Sequence, residues 1–184
     1  MKILSILLML LPTYNVPTIS HIKLRSLDGE FCHIEENKNV SATIIFFISP
    51  ECPLCKNYSL NIKQLSAQYL KKGFRFIAIV PGNRYTIPQV KEYKTTYGLK
   101  NISFYFDPNF ELVHMLKAKV TPEVFVLDQT GKLVYNGRID NWVYELGKKR
   151  KVITEHNLAD VLFALDQHII VTYKSVKALG CFIE

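Results

Sequence analysis

Between Phe46 and Cys55 the chain reads Phe46-Phe47-Ile48-Ser49-Pro50-Glu51-Cys52-Pro53-Leu54-Cys55, an apolar strand that runs into two cysteines with two residues between them. If Cys52 opens a helix, both thiols lie on its first turn and can close a small disulfide. The helix N-terminus favours a thiolate on the first of them, through its dipole and its unpaired N–H groups. Cys52 is therefore the expected nucleophile and Cys55 the more buried partner. Glu51 sets a carboxylate beside the nucleophile, which tends to raise its pKa.

The remaining sequence must build a scaffold around that junction. With 184 residues, 48% of them apolar, the chain has material for one well-buried core. The formal net charge of +7 does not point to nucleic acid, because the basic residues are spread along the expected helices. Lys148-Lys149-Arg150-Lys151 is the one cluster, and it reads as a solvated face.

Met1-Lys2 followed by an almost wholly apolar stretch to Leu11 and then Pro12 has the layout of a secretory leader, too short to span a bilayer. Small residues at Thr18 and Ser20 allow cleavage before His21. The boundaries expected are a leader over 1–20, one domain over 21–167 and a tail over 168–184. An exported, periplasmic or extracytoplasmic protein can carry cysteines as disulfides, and this chain has four: Cys32, Cys52, Cys55 and Cys181. Membrane association is expected only through the N-terminal segment if it stays uncleaved. Zinc would require a second ligand pair at similar spacing; Cys32 sits directly beside His33 and Cys181 stands alone, so no metal is expected.

Residues 43–49 form a continuous β-branched and aromatic run, the pattern of a central strand covered on both faces. A helix follows over 53–72, with apolar positions near helical period and Gly73 ending it. A buried strand over 74–80, a helix over 87–97 closed by Gly98, a strand over 104–106 and a short helix from Phe110 come next. Pro122 must stand at the first position of the strand that ends near Asp128, because it has no N–H to give a ladder. Gln129-Thr130-Gly131-Lys132 then turns the chain into an antiparallel partner over 133–136. Thr154 is the expected cap of a last helix over 155–167.

This order of elements, with Cys-x-x-Cys at a strand-to-helix junction and Thr121-Pro122 before an apolar strand and a glycine-turned hairpin, resembles the thioredoxin fold. More narrowly it resembles the redoxin branch, which includes the alkyl hydroperoxide reductase/thiol-specific antioxidant proteins and the exported thioredoxin-like reductases. Ser49 to Cys55, Val120 to Asp128 and Gly137-Arg138-Ile139-Asp140 carry the likeness in combination, over about residues 22–167. The resemblance implies an α/β three-layer sandwich with a central mixed β-sheet flanked by helices, and no cofactor. It also implies a thiol-disulfide oxidoreductase, with disulfide-containing protein substrates and an upstream thiol donor as partners. Cys52 would form a mixed disulfide and Cys55 resolve it. Thr121 would offer its backbone to an incoming chain beside a cis Pro122.

Two other activities stay open on the same fold. A thiol peroxidase would use Ser49, three positions before Cys52, to bind peroxide and a cation such as Arg138 to polarise it, but this chain has Ile45 where that branch expects proline. A copper carrier would pair the cysteines with a distant histidine, for which His114 and His156 are candidates, though its cysteines are usually spaced by three residues. Cys32 reads as a small core residue, and Trp142 with Tyr144 as either a substrate groove or a satellite apolar cluster. Cys181, in a stretch too irregular for the last helix, has three open fates: exchange with the Cys52–Cys55 pair, a bridge between chains, or a disulfide with Cys32.

Overall fold

A computed structural model describes residues 19–34 and 39–184. Most of the expected leader, residues 1–18, lies outside the described residues. A 3-10 turn over Ile19–His21 leads into β1 (Lys23–Ser26) and β2 (Phe31–His33), then β3 (Ala42–Phe47), α1 (Pro53–Leu70), β4 (Phe74–Pro81), α2 (Ile87–Thr96), β5 (Ser103–Asp107) and α3 (Glu111–Leu116). The second half holds β6 (Val120–Thr121), β7 (Glu123–Asp128), β8 (Leu133–Gly137), the small hairpin β9 (Val143–Glu145) and β10 (Lys148–Lys149), α4 (Asn157–Asp166), β11 (Lys174–Val176) and β12 (Cys181–Phe182). Among the described residues no helix is long and apolar enough to cross a membrane.

Among the described residues, eight strands make one mixed sheet in the order β11-β8-β7-β3-β4-β5-β1-β2. Strand β3 lies parallel to β4 and antiparallel to β7, so Phe46 has Ala78 on one side and Val124 on the other. All six of its residues are buried, which is why its sequence shows no polar alternation. Its alternate side chains feed opposite faces: Ile44, Phe46 and the following Ile48 pack with Tyr58 and Ile62 of α1 and Leu158 and Leu162 of α4. Ile45 and Phe47 pack with Phe125, Leu112 and Val113 on the other side. Helices cover both faces, and the three-layer α/β sandwich is present.

Two expectations change. The last helix starts at Asn157 with His156 in the cap position, not Thr154. Thr154 is claimed by Asn141, whose Oδ1 accepts from the N–H groups of Thr154 at 3.0 Å and Glu155 at 3.2 Å and whose Nδ2 donates to Thr154 Oγ1 at 2.7 Å. The stretch after α4, expected to be irregular, contributes β11, parallel to β8, and β12, antiparallel to β6.

A glycine makes the first of these contacts sterically allowed. Gly137 has φ +137°, a region costly for other residues, and a Cβ there would stand 1.7 Å from the Val176 carbonyl oxygen. Gly137→Ala should therefore detach β11 and lower stability by about 2–3 kcal/mol. The expected readout is a lower urea midpoint at unchanged m-value; an unchanged midpoint would show that the β8 margin has slack.

Candidate active site

Strand β3 delivers the chain to the site. Beyond it, Ile48 N–H donates to Ile79 O at 2.8 Å, and Cys52 N–H closes a turn on Ser49 O at 3.1 Å. Cys52 is the N-cap of α1 in extended conformation, Pro53 fills the first helical position, and Lys56 N–H returns to Cys52 O at 3.1 Å. Proline suits that place because its missing N–H would have had no helical partner. Cys55 therefore lies in the first turn, where Ser49 N–H donates to its Sγ at 3.5 Å and Tyr93 hydroxyl holds its carbonyl at 3.1 Å.

Thr121 and Pro122 face this turn across a cis peptide bond. As a thiol, Cys52 Sγ donates to Thr121 O at 3.0 Å. The loop is fixed from below by Glu123, a buried carboxylate whose Oε2 accepts from Lys119 N at 2.8 Å. Nothing in the sequence reading singled out Glu123, although an acidic residue opening an otherwise apolar strand was a legible signal.

A third sulfur completes the site. Strand β12 pairs with β6, placing Cys181 opposite Thr121 and Phe182 opposite Val120. Cys52 receives hydrogen bonds from the Cys55 side chain and, more weakly, from the Cys181 side chain and the N–H groups of Cys55 and Cys181; these outweigh burial and bring its pKa down from 9.0 to about 4. The Thr121 carbonyl opposes this, because it accepts only from the protonated thiol. Burial, together with the neighbouring Cys52 anion, pushes Cys55 well above the ordinary thiol value. The same causes push Cys181 up to about 12. The negative charge of the reduced site thus rests on Cys52, with Cys55 and Cys181 protonated. Cys52 is 2% exposed and Cys55 is fully buried.

The other expected residues fall in different places. Glu51 has its carboxylate in solvent, paired with Arg84 at 3.1 Å, and the Cys52 pKa is lowered, not raised. Tyr85, a residue the sequence reading passed over, links the Ser49 hydroxyl at 2.8 Å to Glu51 at 3.3 Å. Arg138 has its guanidinium committed to Asn157 at 2.8 Å and Glu155 at 2.8 Å. Cys32 lies on β2, the outer strand of the large sheet, paired with Leu24, whereas Cys181 lies on β12 in a separate two-stranded sheet, opposite Thr121, whose carbonyl accepts from Cys52; Cys32 and Cys181 are both free thiols.

Trp142 packs edge-on against Tyr58 with ring centroids 5.5 Å apart, while Tyr144 is exposed. The basic cluster is spent locally, with Lys148 on Glu145, Lys149 over the Trp142 ring and Arg150 over Tyr144. His114 and His156 are exposed on α3 and before α4, and among the described residues no group of three or more His, Cys, Asp or Glu side chains could hold a metal ion.

The family described as Redoxin matches residues 13–162. The chain belongs to the redoxin family. No curated protein matches it. Among solved structures it is similar to an uncharacterized conserved protein from Geobacillus kaustophilus, at 24% identity over 91% of this chain and 90% of that one, TM-score 0.77. A hypothetical protein from Sinorhizobium meliloti is similar at 22% identity over 90% and 91% of the two chains, TM-score 0.75. A secreted Mycobacterium tuberculosis disulfide oxidoreductase, described as homologous to E. coli DsbE, is similar at 14% identity over 80% and 96%, TM-score 0.55. At these identities the likeness establishes a shared thioredoxin-like redoxin fold.

The charge distribution has a measurable consequence. Thiolate absorbance of the reduced protein should rise with a midpoint near 4, and Cys55→Ala, which removes the strongest donor, should move that midpoint upward. Because the folded value lies below the ordinary one, ionised Cys52 stabilises the reduced fold fully above pH 9.0, and the contribution is lost as the pH falls toward about 4. Denaturant titrations of the reduced protein against Cys52→Ala should show the gap closing across that window. A midpoint near 9.0 in the native protein would refute the depressed Cys52 thiolate.

Proposed function

We propose that this redoxin is a thiol-disulfide oxidoreductase acting on disulfide-containing proteins through Cys52 and Cys55. The observation that carries this reading is a depressed nucleophile at the start of α1, backed by a buried high-pKa thiol one helical turn away and faced by the Thr121-Pro122 loop. The Cys52 thiolate attacks a substrate sulfur; the new bond forms as the substrate disulfide breaks, and the departing sulfur takes up a proton. Cys55 then loses its proton and attacks Cys52, releasing the second substrate sulfur and leaving a Cys52–Cys55 disulfide that an upstream thiol donor reduces. The Thr121 backbone offers the edge on which an extended substrate segment would align.

A low nucleophile pKa stabilises the reduced state and makes the disulfide more oxidising, so the same site can also run in the oxidising direction. An exported location fits both directions, and it is supported by the leader pattern over 1–20 and by the secreted mycobacterial structural neighbour. The peroxidase reading has less support, since the Ser49 hydroxyl is engaged by Tyr85 and Arg138 by Glu155.

The test is reduction of a protein disulfide by the full chain with a dithiol donor. Cys52→Ala should abolish turnover, and Cys55→Ala/Cys181→Ala, in which Cys52 is the one thiol left at the site, should accumulate a mixed disulfide joined to Cys52. Undiminished turnover by Cys52→Ala would overturn the reading.

A further inference from the structure

The substrate edge of this site is already occupied by the chain itself. Beside the pairing of Cys181 with Thr121, Ile183 N–H donates to Lys119 O at 3.0 Å, so the segment runs antiparallel along the loop as an incoming peptide would. Gly180 lets it come that close: a Cβ there would stand 2.2 Å from the Thr121 carbonyl oxygen. The approach is prepared upstream, where β11 is seated on β8 across Gly137 and Ala178 is buried. The nucleophile beneath is only 2% exposed. A protein disulfide and β12 therefore compete for one place.

We propose that Cys181 is a third redox cysteine acting within the chain: it forms a disulfide with Cys52 when β12 is docked, and β12 leaves β6 when another polypeptide takes its place. This rests on the exchange chemistry proposed above. Starting from a Cys52–Cys55 disulfide, the Cys181 thiolate attacks Cys52 Sγ, the Cys52–Cys181 bond forms, and Cys55 departs as a thiolate that takes the proton Cys181 gave up. The step is a disulfide isomerisation with no net oxidation. Disulfide formation at Cys52 also removes the anion that hinders Cys181 ionisation in the reduced state. When Cys52 carries a small thiol instead, the same attack expels that thiol with a proton.

Full-length Cys55→Ser, reduced and then exposed to glutathione disulfide, tests this directly. Cys52 takes on one glutathione, and Cys181 should expel it, leaving a monomer whose peptide map contains a Cys52–Cys181 disulfide. In Cys55→Ser/Cys181→Ser the glutathione should persist on Cys52, with release at least about 100-fold slower, since the held thiol is replaced by thiols from solution. Cys55→Ser/Gly180→Val keeps the thiol but pushes β12 off Thr121, and should also retain the adduct.

Equal adduct lifetimes in Cys55→Ser and Cys55→Ser/Cys181→Ser would overturn the role of Cys181 while leaving the reactivity of Cys52 standing. A Cys181 disulfide between two chains would overturn action within the chain. Failure of every variant to take up glutathione would instead refute the exchange chemistry itself, and the role of Cys181 with it.

Discussion

The burial of β3 between β4 and β7 is the constraint on which the site depends. A strand hydrogen-bonded on both sides and packed on both faces cannot shift register without moving every side chain to the wrong layer. Its end is therefore a fixed point, and the turn from Ile48 to Cys52 inherits that precision. The neighbouring strand β7 is registered against the same residues, with Glu123 opposite Phe47. The two halves of the site, the first turn of α1 and the Thr121-Pro122 loop, thus hang from adjacent strands of one rigid ladder.

That rigidity makes the shared proton arrangement possible. Donors to a thiolate stabilise it only if they are already held in place, because ordering them at the moment of ionisation would consume the gain. Cys55 is held by Ser49 and Tyr93, and Cys181 by its pairing with Thr121. The ionisation of Cys52 accordingly depends first on Cys55 in its own helical turn and secondarily on Cys181, which a distant chain segment delivers.

Much of the scaffold was legible because its signals are local. The β-branched and aromatic run over 43–49, the period of α1 and the glycine at 73 each act through neighbours in sequence. The pair Cys52 and Cys55, and the proline at 122, were legible for the same reason. What escaped was set by contacts across the fold. Asn141 took Thr154 from its expected cap, thirteen residues away, and Glu51 pairs with Arg84, thirty-three residues away. The segment carrying Cys181 looked irregular because its strands have only three and two residues, too short for a pattern of alternation. Its meaning lay in Gly137 and Gly180, whose importance appears only when another backbone is brought against them.

The position of β11 also bears on how the molecule behaves in a crowded solution. Without it, β8 would form one margin of the sheet and present its backbone N–H and carbonyl groups to any passing strand. Three residues lying parallel along Tyr135, Asn136 and Gly137 cover that margin, and the opposite margin is another three-residue strand, β2. Short borders of this kind offer few successive bonds to a neighbouring chain. The large, strongly apolar sheet is thereby shielded from edge-to-edge self-association, and the segment that closes one border is continuous with the one that reaches Thr121.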